Sequence, residues 1–242
     1  ILMLNQIRKA TTFLRKTPVH PQWFSFLREE RNLKEACEAL RGAVLDVGCA
    51  NGKARAFLSN DASYIGLDYF STAVEWYDTR PDIFGDAQAL PLKNDCVDHG
   101  LLLDVLEHLP DPKRCLDELH RVIKPGGTLT IQVPFMYPLH DQPLDLQRWT
   151  RHGLRRAAAR SSFDISAERA NGHPLETAAL SANIALSKSV INWFHGRNPL
   201  VLLALLAPFA IVTINCVAWL LAAFSHDDDL MPISYRMVWT KI

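Results

Sequence analysis

The chain has 242 residues, enough for one sizeable core with added elements but not for two large domains. Its 26 Lys and Arg balance its 26 Asp and Glu, so no net field draws it to nucleic acid. Five cysteines, an odd number with no C-x-x-C pair, exclude a disulfide framework and point to reduced thiols in a cytosolic compartment.

Residues 1–40 read as an N-terminal helical cap. Residues 1–20 carry Arg8, Lys9, Arg15 and Lys16 and no acid, with Ile7, Phe13 and Leu14 between them. Such a segment either lies on an anionic membrane surface or caps the domain as a solvated helix. The opening Ile1 points to a trimmed or alternative start. Next, Val44, Leu45 and Val47 form a short buried strand interrupted by Asp46. Gly48, Ala50 and Gly52 follow at alternate positions before a helix expected near Lys53. A strand running into small residues lets the backbone pass close to a ligand, with a helix N-terminus behind it. A dinucleotide turn would need a small third residue, and counted from Gly48 that position is Lys53.

Tyr64 to Asp68 is a second apolar strand, ending in an acid 22 residues after Asp46. An acid at that tip can accept both ribose hydroxyls of an adenosine. Ile83-Phe84 is a third strand, closed by Gly85-Asp86-Ala87. Cys96 to Leu103 is the fourth and leads into Asp104-Val105-Leu106-Glu107-His108-Leu109. A helix over about Pro112 to Val122, the turn Lys124 to Gly127 and a fifth strand, Thr128 to Val133, come next. A sixth strand is expected from Phe163 to Ala167 or slightly beyond, and a closing one near 233–242.

The turn Asp46-Val47-Gly48-Cys49-Ala50-Asn51-Gly52 resembles motif I of the class I S-adenosylmethionine-dependent methyltransferases, with Ala50 in place of the middle glycine. The resemblance covers about residues 40–170 plus the closing strand. It is similar to the type 11 group, some of whose members are associated with cell-surface glycan and lipid pathways. It implies an α/β, Rossmann-like doubly wound sheet of about seven strands, mostly parallel, with an antiparallel last strand and an apolar helical insertion before it. The methyltransferase domain would take 41–172 with 233–242, and the insertion 173–232. The implied cofactor is S-adenosyl-L-methionine, contacted by Asp46, Gly48, Cys49, Ala50, Gly52, Asp68, Tyr69, Asp86, Ala87, Leu103 and Asp104. Asp46 would orient the glycine turn through backbone amides, or simply cap the strand end.

Three residues are candidates for catalysis. His108 follows Glu107 on the side where an acceptor should enter, and either caps a helix or acts on the acceptor. Glu107 and His108 alone are too few ligands to infer a metal, and none is expected. His140 lies in the loop after the fifth strand, Pro134 to Thr150, which resembles a segment of the cell-surface methyltransferases. It could take a proton from a sugar or phenol hydroxyl, with Asp141 or Asp145 holding its tautomer. Alternatively, Asp145 and Arg148 pair as a loop clamp. The helix expected over Arg148 to Arg160 carries Arg148, Arg151, Arg155, Arg156 and Arg160, either as a solvated face or as a grip on phosphates.

Pro199 to Phe224 contains no charge, and as one helix its 26 residues would be roughly 39 Å long. Lying between two neighbouring strands, it must return to the side it left. Pro208 would break it into halves 199–207 and 209–224. A shallow membrane hairpin, joined by the amphipathic stretch Leu175 to Phe194, is expected; buried helices or a homodimer interface are the alternatives. The composite expectation is a methyltransferase at the cytoplasmic face of the membrane, acting on a hydroxyl of a lipid-linked or glycan acceptor. A quinone-like small-molecule acceptor and a non-catalytic scaffold subunit are the competing readings.

Overall fold

In a computed structural model the described residues are 12–226 and 228–242. Arg8, Lys9 and the first part of the basic N-terminal segment lie outside them.

The helices α1 (Trp23–Leu27) and α2 (Glu29–Cys37) precede the strands β1 (Gly42–Val47), β2 (Ala62–Asp68), β3 (Ile83–Phe84) and β4 (Val97–Leu103). Helix α3 (Pro112–Val122), strand β5 (Ile123–Pro134), helix α4 (Arg151–Arg160) and strand β6 (Phe163–Asn171) follow. Next come α5 (Pro174–His195), a 3-10 helix over Pro199–Leu206, α6 (Ala207–Ala223) and β7 (Ser234–Lys241). The strands form one sheet in the order β3-β2-β1-β4-β5-β7-β6. The first five are parallel, and β7 inserts antiparallel between β5 and β6. The doubly wound seven-stranded sheet with an antiparallel last strand is the architecture the sequence implied.

Successive residues in a strand face opposite ways, so burial of both Val44 and Leu45 means that β1 is covered on both faces. Val44 packs with Cys37, Leu40, Ala54 and Leu101, while Leu45 packs with Leu102, Leu116, Leu119 and Ile131. Cys37 and Leu40 thereby join segment 31–40, grouped with the cap in the sequence, to the sheet. Helix α3 starts at Pro112, and its N-cap Asp111 accepts from Arg114 N at 3.2 Å. One expectation fails: no multi-turn helix follows β1, only a 3-10 turn over Lys53–Phe57. With β2 beginning at Ala62, the connection is close to the minimum length of a parallel crossover. The expected break at Pro208 does not occur either: the 3-10 stretch Pro199–Leu206 runs directly into α6, and Pro208 sits in the first turn of α6, where its missing N–H costs nothing.

Two compact units result. The sheet unit comprises Arg31–Phe135, Leu139–Asn171 and Ser234–Ile242; the second comprises the residues up to Glu30, Met136–Pro138 and Gly172–Ile233. In the second unit, α5 and α6 form a hairpin with Trp23, Phe24, Ala179 and Ala218 at its centre. Asn183 Nδ2 donates to Asn215 Oδ1 at 2.8 Å between these helices, and Asn215 Nδ2 donates to Pro18 O at 2.7 Å. Glu176, fully buried in the first turn of α5, takes a two-pronged ion pair from Arg28 and accepts from His173 N. Removing the cation would strand a buried carboxylate. Arg28→Ala should therefore destabilise the second unit by about 3 kcal/mol, read as lost hydrogen-exchange protection in α5.

Candidate active site

The turn after β1 is held by the end of β2. Gly48 N and Cys49 N both donate to Leu67 O, at 2.8 and 3.1 Å, and Ala50 N donates to Asp68 Oδ2 at 2.7 Å. Asp68 Oδ1 accepts from Tyr69 N at 2.7 Å. Gly48, Ala50 and Gly52 have φ of 72°, 47° and 64°, all in the left-handed region. A Cβ on Gly48 would lie 2.4 Å from Val105 Cγ2, so the first glycine is required by a close approach as well as by its backbone. Ala50 adopts the glycine-like conformation regardless, at a cost of about 1–2 kcal/mol.

Asp46 does not hold the turn's amides as expected. It is buried beneath the turn and accepts from Tyr64 Oη at 2.7 Å. Burial pushes its carboxyl up to about 6, the Tyr64 hydrogen bond opposing and the Asp68 charge adding to the shift. The same burial and the nearby Asp46 raise the Cys49 thiol to about 12, so it stays a neutral thiol. Tyr64 was not singled out in the sequence; its phenol at the middle of β2 facing a buried acid on β1 is visible only once the register Asp46↔Gly66 is known.

Past β3, Asp86 folds its own loop, accepting from Gln88 N at 2.8 Å beside the buried Ala87. Leu103 and Asp104 end β4, where Asp104 N donates to Gln132 O and Gln132 Nε2 to Asp104 Oδ2, each at 2.8 Å. These residues gather at the carboxyl edge of the parallel strands, where ligands of open α/β sheets bind.

At the same edge the loop 139–150 folds onto the turn after β4. Leu146 N donates to Glu107 O at 3.0 Å and Gln147 Nε2 to Leu109 O at 2.8 Å. His108 Nδ1 lies 3.1 Å from Leu144 O, and Asp145 Oδ2 accepts from His140 N at 3.0 Å while lying 3.2 Å from His140 Nδ1. The structure thus brings His108, His140 and Asp145 together, their imidazole rings 5.1 Å apart edge to face. Asp145 also receives a two-pronged pair from Arg148, whose charge holds its carboxyl down at about 2. The tautomer-setting and loop-clamp roles therefore coexist in one side chain. Glu107 lies beneath both histidines, and its charge beside His140 raises that imidazole above its ordinary value. Of the five arginines around this helix, three meet acids and Arg156 and Arg160 are exposed. Arg155 Nε donates to Glu168 Oε2 on β6 at 2.9 Å, with Arg151 beside the same carboxylate, and Arg148 serves Asp145.

A family model described as a methyltransferase domain, the type 11 group, matches residues 45–131. Over those residues the chain resembles a methyltransferase domain of that group. The chain is 33% identical over 162 residues to an uncharacterized methyltransferase of Mycobacterium bovis, covering 63% of this chain and 61% of that protein. An O-methyltransferase of Pyrenophora dematioidea is 28% identical over 130 residues, 47% of this chain and 49% of its own. The chain thus spans about three-fifths of the length of the Mycobacterium relative and about half of the Pyrenophora one. A SAM-dependent methyltransferase structure from Methanosarcina mazei superposes with a TM-score of 0.51 at 14% identity, covering 86% of this chain and 96% of that one. The cyclase SpnF superposes at 0.53 and 17%, covering 91% and 83%. At such identities the structures establish the fold alone.

The Methanosarcina structure is named as SAM-dependent, and the residues present here suit S-adenosylmethionine. The left-handed turn keeps its backbone bare, and each Asp68 oxygen, with one amide donor, retains a lone pair for a hydroxyl. The methyltransferase domain carries a testable electrostatic cost at Asp46. Its folded pKa of about 6 exceeds the ordinary 3.8 of an aspartate, so the native state binds the extra proton between those values and this group's contribution falls as pH rises. Asp46→Asn should be more stable relative to wild type near pH ~7.5 than near pH ~4.5, by about 2 kcal/mol, measured by urea unfolding at both pH values.

Proposed function

We propose that the chain transfers the methyl group of S-adenosylmethionine to a hydroxyl of a lipid-linked or glycan acceptor at the cytoplasmic face of a membrane. Displacement at a sulfonium is in line and the donor is already activated, so alignment of donor and acceptor is the main task of the protein. In this reading Asp68 takes the ribose hydroxyls, the backbone of Gly48–Gly52 lies along the amino-acid end of the cofactor, and Asp86 and Ala87 border the adenine. Leu103 and Asp104 lie toward the sulfonium, where a negative charge suits the cation. The cluster of Glu107, His108, His140 and Asp145 faces the acceptor, and a hydroxyl acceptor must lose its proton as the new bond forms. His140, flanked by two carboxylates, is a stronger base than free imidazole. The O-methyltransferase named among the relatives supports oxygen as the receiving atom.

The membrane face is carried by one observation. In the stretch from Phe194 to Phe224 twelve large apolar side chains are exposed, with Leu202, Leu205 and Phe209 each above 70%. Only a narrow stripe of α6, Ala207, Ile211, Asn215 and Ala218, is buried. The chain leaves the sheet at Asn171 and returns at Ser234, its cross-strand partner, so a hairpin that dips into one leaflet agrees with the topology.

Calorimetric titration with S-adenosylhomocysteine should show binding to wild type and a loss of at least ~100-fold in Asp68→Ala, about 3 kcal/mol. A folded wild type that binds none would move the chain to the scaffold reading. In flotation with vesicles containing anionic lipid, wild type should rise with the lipid, and Leu202→Glu with Leu205→Glu should stay at the bottom. A monodisperse dimer in the absence of detergent, indifferent to vesicles, would replace the membrane with a second copy.

A further inference from the structure

We infer that Glu107, His108 and His140 form a binding site for one divalent transition-metal ion, of the kind imidazole and carboxylate hold together, such as Zn2+. The starting observation is Glu107. It is fully buried, and among the described residues neither of its carboxylate oxygens has a hydrogen-bond partner. A buried charge without hydrogen bonds is among the costliest groups a fold can carry. Two imidazole nitrogens converge on it: His108 Nε2 lies 3.6 Å and His140 Nε2 3.7 Å from the same atom, Oε1. Both distances exceed an N–H···O hydrogen bond. They match two ligands on one ion, since bonds of about 2.0–2.2 Å would subtend roughly 120°. The three ligand atoms lie within 4.8 Å of one another, and only the two histidines retain solvent exposure, at 21% and 24%. The exposed side leaves coordination positions open, as in catalytic rather than structural sites.

The outer contacts agree. His108 Nδ1 faces Leu144 O and His140 Nδ1 faces Asp145 Oδ2, both obligate acceptors, so the ring protons sit on Nδ1 and the lone pairs on Nε2 point toward Glu107. A carbonyl or carboxylate behind each imidazole is the usual support of a histidine ligand. Arg148 in turn fixes Asp145. Nothing in the sequence could have added His140 to the Glu107-His108 pair; the folding of loop 139–150 onto the turn after β4 does so.

The site's existence does not depend on the reaction; its role rests on the methyl-transfer reading. An acceptor hydroxyl bound to the ion is acidified, and its proton leaves to solvent. The oxygen then forms the O–CH3 bond as the S–CH3 bond breaks and the sulfonium departs as a neutral thioether. His140 then acts as a ligand and not as the base.

The test titrates chelator-stripped full chain with Zn2+ in a calorimeter and with Co2+ by visible absorption, alongside the S-adenosylhomocysteine titration. One equivalent should bind, with the intense bands of four-coordinate Co2+. Glu107→Gln, His108→Ala and His140→Ala should each weaken binding at least ~100-fold, and Asp145→Asn about 10-fold. Metal-free Glu107→Gln should melt no lower than wild type, with only wild type gaining stability from Zn2+. Folded wild type that binds no ion, or binding unchanged in all the variants, would overturn the inference. Metal binding without S-adenosylhomocysteine binding would leave the site standing and remove the methyl-transfer reading; the converse would do the opposite.

Discussion

The methyltransferase domain depends on a main-chain interaction: the end of β2 holds the turn that follows β1. Three consecutive amides, of Gly48, Cys49 and Ala50, are taken by Leu67 O and the Asp68 carboxylate. A turn of small residues has no side chains with which to fix itself, and its left-handed positions are entropically costly to order. Docking it on the neighbouring strand settles its shape and sets Asp68 beside it in one step. The acid that should meet the cofactor's ribose is therefore also the acid that shapes the turn. The parallel pairing of β1 with β2 thus shapes the turn as well as the sheet.

The loop 139–150 and the turn after β4 are organised around a second buried carboxylate with the opposite character. Asp46 has a phenol donor, and burial keeps its carboxyl easily protonated, so its cost is moderated. Glu107 has no such donor, although its backbone carbonyl pins Leu146 and its neighbours carry two imidazoles. Folds retain so poorly solvated a group where it does something that a leucine of similar volume cannot. Arg148, Asp145 and His140 then form a chain of charges running from the loop toward Glu107. The loop's position and the imidazole's orientation are fixed by the same contacts.

Much of this was legible in the sequence because it is local. The apolar runs around Val44, Ile65 and Leu101 are strands buried on both sides, and the Gly48–Gly52 spacing names a turn that needs positive φ. Pro112 after Asp111 marks a helix start, and α3 begins there. What sequence could not give depends on register or on long-range contact. Asp46 and Tyr64 meet through strand pairing, and Glu107 and His140 meet through a loop without regular structure. Arg151 and Arg155 looked available as a pair on one helix face, but Glu168 on β6 stands opposite them. Local pattern reports which way a side chain faces along its own element; it is silent on the charge that waits there.

The helical hairpin poses a question of magnitude. Twelve exposed Leu, Phe, Val and Trp side chains between Phe194 and Phe224, at 1.5–3 kcal/mol each for full burial and roughly half exposed, represent on the order of 10 kcal/mol of unused apolar transfer. That is comparable to the whole stability of a domain. At 100° per residue, Trp219, Phe209, Leu220, Val217 and Leu221 fan over roughly 200° of α6. A second protein copy covers one face of a helix, whereas a hydrocarbon phase covers an arc. Between Thr177 and Ser225 the only full charges are Lys188 and Arg197, both cationic, as an anionic lipid surface prefers. In the reading proposed above, the width of the apolar arc and the sign of the bordering charge are the features that would suit lipid, and the pairing of Asn171 with Ser234 is the one that would confine the hairpin to a single leaflet.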